Sequence, residues 1–120
     1  MTEEKRDLHN RIINLAENII EGLEHIHILL REGKRPYTIE FMVTILEGFT
    51  SIEGAIPLVW EKEREDITKL RTNLRNNFSL LVKAYEKEEE NEVLEVLETK
   101  VLPTAYQWVE GLKNSSGIEH

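Results

Sequence analysis

A chain of 120 residues is the size of one domain, able to bury roughly two thirds of the surface its unfolded form exposes, and 40% apolar with 32% charged residues suit a globular fold. A formal charge of -8 repels phosphate backbones, and the cations Lys69, Arg71 and Arg75 follow Glu61, Glu63, Glu65 and Asp66, so a nucleic-acid partner is excluded for want of a basic face. The absence of cysteine excludes disulfides, thiolate metal sites and cysteine nucleophiles.

The start, Met1 to Arg6, is charged and lacks a signal-peptide apolar region. No run approaches the roughly 18 consecutive apolar residues of a spanning helix, so a cytoplasmic chain with no membrane partner is expected. Leu8, Ile12, Leu15, Ile19, Gly22, Ile26 and Leu29 then recur at alternating spacings of four and three, the seam of a packed helix. With Thr2 as N-cap and Gly33 as stop, the spacing predicts a helix over about 3–32. Gly22 on the seam costs helix propensity, which points to a close approach by a neighbouring backbone.

A second helix is predicted over about 36–63, opened by Pro36 and carrying Met42, Ile45, Phe49, Ile52, Ile56 and Val59. Pro57 interrupts it, and because the stripe stays in phase through Trp60 the expectation is a kink rather than an end. Ile67, Leu70, Leu74, Phe78, Leu81 and Tyr85 predict a third helix over about 66–88. Asn91 is expected to cap a fourth over about 91–113, with Leu94, Leu97, Val101, Ala105, Trp108 and Leu112 inward and Pro103 outward. No strand signal competes. Residues 1–113 are therefore expected as a single all-α domain, an antiparallel up-down-up-down four-helix bundle, with 114–120 as a loose tail. A three-helix arrangement with one helix over 57–88, or a dimer sharing its core, are the alternatives.

His25 and His27 stand two apart, about 200° round a helix, and cannot converge on one ion. Glu24 and His27 have the Glu-x-x-His spacing of di-iron bundles, but Arg6 stands three before His9 where a second copy needs a glutamate. Glu21 with His25 would need a third ligand. No metal or cofactor is expected, and His27 reads as half-buried with a hydrogen-bond partner.

Glu53 falls on the apolar flank of the second helix, where an unpaired carboxylate would cost several kcal/mol. If the chain reverses near residues 64–66, Arg75 and Asn77 lie level with it, and Arg75 is the better partner; the functional alternative makes Glu53 a polar anchor in a ligand pocket. Trp60 and Trp108 lie on inner stripes, as core or as anchors of an interface. No serine sits in a Gly-x-Ser-x-Gly turn, and no glycine precedes a Lys-Ser or Lys-Thr pair, so no enzyme is expected.

The stretches MVTILEGFTSIEGAIPLV and VLEVLETKVLPTAYQWVEGL, through Leu46-Glu47-Gly48, Ile52, Leu97, Leu102-Pro103 and Trp108, resemble elements of small uncharacterised helical proteins of Bacillota, sometimes encoded near motility genes. The chain is also similar in size, acidity and helical content to flagellar export chaperones, an analogy of class only. The resemblance implies a helical fold and carries over no functional residue. The expected function is a non-catalytic interaction module, adaptor or chaperone, that holds a protein partner's amphipathic helix between its own. A small-ligand or metal-binding bundle and a structural homodimer are the rivals.

Overall fold

In the computed structural model, which describes residues 2–87 and 89–115, the first helix, α1, runs Glu3–Arg31. Thr2 Oγ1 accepts a hydrogen bond from the Lys5 N–H at 3.1 Å, satisfying one of the orphan donors of the first turn. At the other end Gly33 takes φ +74°, its N–H bonding to the Leu30 carbonyl while the Lys34 N–H reaches back to Leu29 at 2.8 Å. That pair of bonds is the Schellman stop, and it requires the left-handed conformation only glycine adopts cheaply. The buried edge is Ile12, Ala16, Ile19, Leu23, Ile26 and Leu30, whereas Leu15 is exposed. The seam thus sits slightly round from the one read at Leu15 and Leu29, because α1 is packed from two sides.

Pro36 opens a single 3-10 turn, Arg35–Thr38, and the second helix, α2, follows over Ile39–Val59. Thr38 is fully buried here, its hydroxyl donating to the Arg35 carbonyl at 2.6 Å. α2 continues through Pro57, as expected, but the end expected near 63 is corrected: the helix stops at Val59, and Trp60 turns to extended backbone. Proline removes one donor and crowds the carbonyl four before it, and Trp60 gains a better place off the helix axis, its Nε1 donating to the Ser115 carbonyl at 3.1 Å.

The third helix, α3, runs Glu65–Glu86. The last rod is helical from Glu90 to Asn114 but not uniform: α4 (Glu90–Val96) passes through a π turn (Leu97–Val101) into α5 (Leu102–Asn114). Asn91 lies inside its first turn instead of capping it; Glu89 is the cap. The Leu102 N–H bonds five residues back, to the Leu97 carbonyl, and this widened turn sits where Pro103 would otherwise press on the carbonyl of Thr99. Pro103 is exposed, as expected, and the distortion it brings is the π turn.

No strand occurs among the described residues, and the four rods form an all-α bundle 46 Å long, close to the roughly 44 Å of a 29-residue helix. Around the bundle the closest neighbours are α2 with α1, α1 with α5, and α5 with α3. At Gly22 an added Cβ would stand 3.0 Å from Ile45 Cδ1, which is the expected close approach of α1 and α2. Phe49, Phe78 and Trp108 meet edge to face at 5.2 and 5.3 Å in the middle of the core. Residue 114 is still helical and Ser115 is buried under Trp60, so the loose tail cannot begin before 116; the rest of that expectation, with His120, lies outside the described residues.

Candidate functional site

The fourth side of the bundle, between α2 and α3, is open. These helices are joined by a short turn, yet their backbones do not pack as closely as the other three pairs do. Beside its core stripe, α2 carries a second one: Ile39, Val43, Leu46, Thr50 and Glu53, again at spacings of four and three. Arg75, Ser79, Val82 and Glu86 form the facing wall on α3. Met42, Phe49 and Phe78 make the floor, and Leu46, Val82 and Glu86 join two adjoining cavities of 470 and 270 Å³ into one trough. From Ile39 to Glu53 it spans about 21 Å, or four helical turns.

Its upper wall is apolar and wet: Ile39 keeps 49% of its surface and Val43 50%. By length and mean composition Arg35–Val59 is apolar enough to cross a membrane, a test that a core helix also passes, although the Thr, Ser, Gly and Glu residues scattered through it leave no long uninterrupted apolar run. Only one third of its most apolar stretch is buried, although a helix this apolar is ordinarily enclosed.

Each end of the trough is fixed by arginine. At the turn end Glu53 does meet Arg75, whose Nε donates to it at 3.1 Å, but Arg71 reaches the same carboxylate through Nη1 at 2.7 Å. Arg71 also clasps Glu63 through Nη2 and Nε at 2.9 and 3.2 Å, and so ties the end of α2, the turn and α3 into one knot. The side chains of Arg71, Glu53 and Glu63 keep only 18%, 18% and 11% of their surface. Burial pushes the Glu53 carboxyl up, but hydrogen bonds from Arg75 and Arg71, together with their charge, outweigh it and hold the group below its ordinary value. Glu53 is therefore a paired strut at the rim.

At the opposite end Arg35 lies over the Tyr85 ring at 5.1 Å and donates to the Tyr85 carbonyl, while its buried Nε has no acceptor among the described residues. The Tyr85 hydroxyl and Thr38 Oγ1 are 2.7 Å apart. Burial raises the Tyr85 phenol despite Thr38 and Arg35. Midway along, Lys83 has no ion-pair partner among the described residues.

The remaining sequence candidates lie elsewhere. His27 is half-buried and bonded to Glu98 at 2.6 Å, with Arg31 on the same carboxylate, which is the partnered state expected. Glu24 is taken by the Tyr106 hydroxyl at 2.7 Å, so Glu24 and His27 do not converge, and no cluster of three metal-ligating side chains occurs among the described residues. His25 packs on Phe41 and His9 on Trp60. Asn77, expected level with Glu53, faces the last rod and donates to the Lys100 carbonyl and Thr104 Oγ1 at 3.2 and 3.1 Å. Both Trp60 and Trp108 are enclosed by the chain's own core, so neither ring is offered to a partner.

The roles of Arg71, Glu63 and Arg35 escape a reading by periodicity, since Arg71 answers acids 8 and 18 residues away across a turn. The second stripe of α2 was legible, as three apolar residues at helical spacing beside the core.

Residues 7–111 match the family described as Domain of unknown function (DUF8042), and the chain belongs to it. No curated protein matches the chain, and no solved structure does.

Proposed function

We propose that this chain is a non-catalytic protein-interaction module whose open side, between α2 and α3, receives an amphipathic helix. The observation that carries the reading is the four-turn apolar trough whose wall residues Ile39 and Val43 remain half exposed beside a completed core. A helix laid there buries its own 4-3 stripe against the second stripe of α2, and each fully covered aliphatic side chain contributes about 1.5 to 3 kcal/mol. Its polar flanks meet charges already placed along the rim. Those charges hold the trough's shape: Glu53 is committed to two arginines and Arg35 to Tyr85, which suits a preformed docking surface rather than a reaction centre.

Because the chain has no cysteine, a single one introduced at Ser79, on the trough wall, can carry a polarity-sensitive dye. Adding a designed four-turn helical peptide, leucines on one face and glutamates on its flanks, is expected to shift that dye's emission to the blue in a saturable way. The same dye at an introduced Ser51→Cys, on the exposed back of α2, is expected to stay unchanged. No shift at Ser79, or an equal shift at both positions, overturns the proposal.

A further inference from the structure

We infer that the trough's occupant is a second copy of this chain, each α2 lying over the trough of its partner; this rests on the reading of the trough as a helix-docking site. Three observations converge. First, the feature that needs covering and the feature that can cover it are neighbours on one face: the ridge of half-exposed Ile39 and Val43 with the partly buried Leu46 borders the trough itself. A two-fold axis parallel to the helices carries that ridge into the partner's trough and returns the partner's ridge to this one, the self-complementary geometry of an isologous interface. An unrelated helix would fill the trough and leave Ile39 and Val43 covered on one flank only.

Second, the exposed face of α2 is purely acidic in its charge, and the α3 it would meet carries at mid-trough a base that is unpaired among the described residues. The ionisable residues of α2 are Glu40, Glu47 and Glu53, with no base among them, whereas α3 turns two bases, Arg75 and Lys83, and one acid, Glu86, toward the trough. Glu53 is spent on its own arginines. Glu40 and Glu47, both exposed, carry no ion pair among the described residues, and neither does Lys83. On α2 those two acids stand about 40° to 120° beyond the ridge, on the side away from the chain's own α3, as 100° per residue requires. With the ridge turned down into the partner's trough, that side looks onto the partner's α3 and Lys83. Third, α2 runs antiparallel to α3 within the chain, so the same axis lays it antiparallel on the partner's α3, the packing already used inside the bundle.

The pairing predicts its own test. In sedimentation equilibrium the wild-type chain is expected to move from 14.1 kDa toward twice that mass as concentration rises from the micromolar range. The dye at Ser79 should turn blue over the same range on adding unlabelled chain. Val43→Glu, at a half-exposed position that leaves the core alone, is expected to remain at the single mass with its helical circular dichroism intact. Lys83→Glu and Glu47→Lys should each weaken pairing by about tenfold, since every dimer holds two such contacts, and the double reversal should restore it. A chain that stays at the single mass throughout, a mass that doubles regardless of Val43→Glu, or a double reversal no better than its parents overturns the inference. If in those cases the Ser79 dye still answers the designed peptide, the docking reading survives while self-pairing falls; if it answers neither, both fall.

Discussion

Arg71 is the place where a single substitution should cost most for its apparent exposure. Replacing it with methionine, of similar reach and no charge, leaves Glu63 at 11% exposure with, among the described residues, only the Thr68 hydroxyl at 2.8 Å, while Glu53 keeps Arg75. Exposed ion pairs contribute about 0 to 1 kcal/mol, and stranding one partner of a buried pair costs about 3 to 5 kcal/mol. Side chains keeping a tenth to a fifth of their surface fall between, so about 2 kcal/mol is expected. For a chain of this size that is a melting temperature lower by about 6 to 10 °C, and a lower urea midpoint with unchanged slope. The companion Arg71→Met with Glu63→Gln should recover more than half of the loss, because the charge that Arg71 leaves behind is then gone. A single variant within about 0.5 kcal/mol of wild type would refute the reasoning, for it would mean that water satisfies Glu63 as well as the guanidinium does. A double variant as unstable as the single would refute it too, by placing the loss in the packing of the arginine stem.

The remaining expectations concern acid and glycine. Glu53 titrates below its ordinary value of 4.5 in the folded chain, so its contribution is complete above that value and is lost as pH falls through the lower, folded one. Chemical denaturation from neutrality to about pH 3 should show that decline, and Glu53→Gln should flatten part of it; an unchanged slope in the variant would reject the assignment. Gly33→Ala places a Cβ at φ +74°, in open space, so the cost is conformational alone, about 1 to 2 kcal/mol by denaturant titration. A neutral result would show that the Schellman stop opens without consequence.

Much of the bundle was legible because its determinants are local. The 4-3 recurrence from Leu8 to Leu29 marks a rod by itself, Gly33 ends that rod for reasons confined to the six residues from Leu29 to Lys34, and Gly22 on a seam betrays a close neighbour. The errors arose where distant contacts decide. α2 stops at Val59, short of the 63 expected, because Trp60 leaves the helix for a carbonyl 55 residues further on. Glu53 meets Arg75 rather than Asn77, as expected, but the second arginine on it, Arg71, was missed because it answers Glu53 and Glu63 together across the turn. The open trough between α2 and α3 fell between these cases. Its apolar wall is written in Ile39, Val43 and Leu46, but that α3 stands back from them is a property of how the other three sides close.

The widened turn at Leu97–Val101 has a consequence for how the last rod can change over time. Before it the core takes Val93 and Leu97, and after it Val101, Ala105, Trp108 and Leu112, so one surplus residue is absorbed there without rotating either half out of place. A deletion at exposed Thr99 would tighten the coil to ordinary pitch and keep both inward faces in register, but it would press Pro103 onto a carbonyl of the preceding turn; the same loss two turns later would swing Leu112 toward water. The rod thus keeps its extra residue at the place where a proline gives it a use.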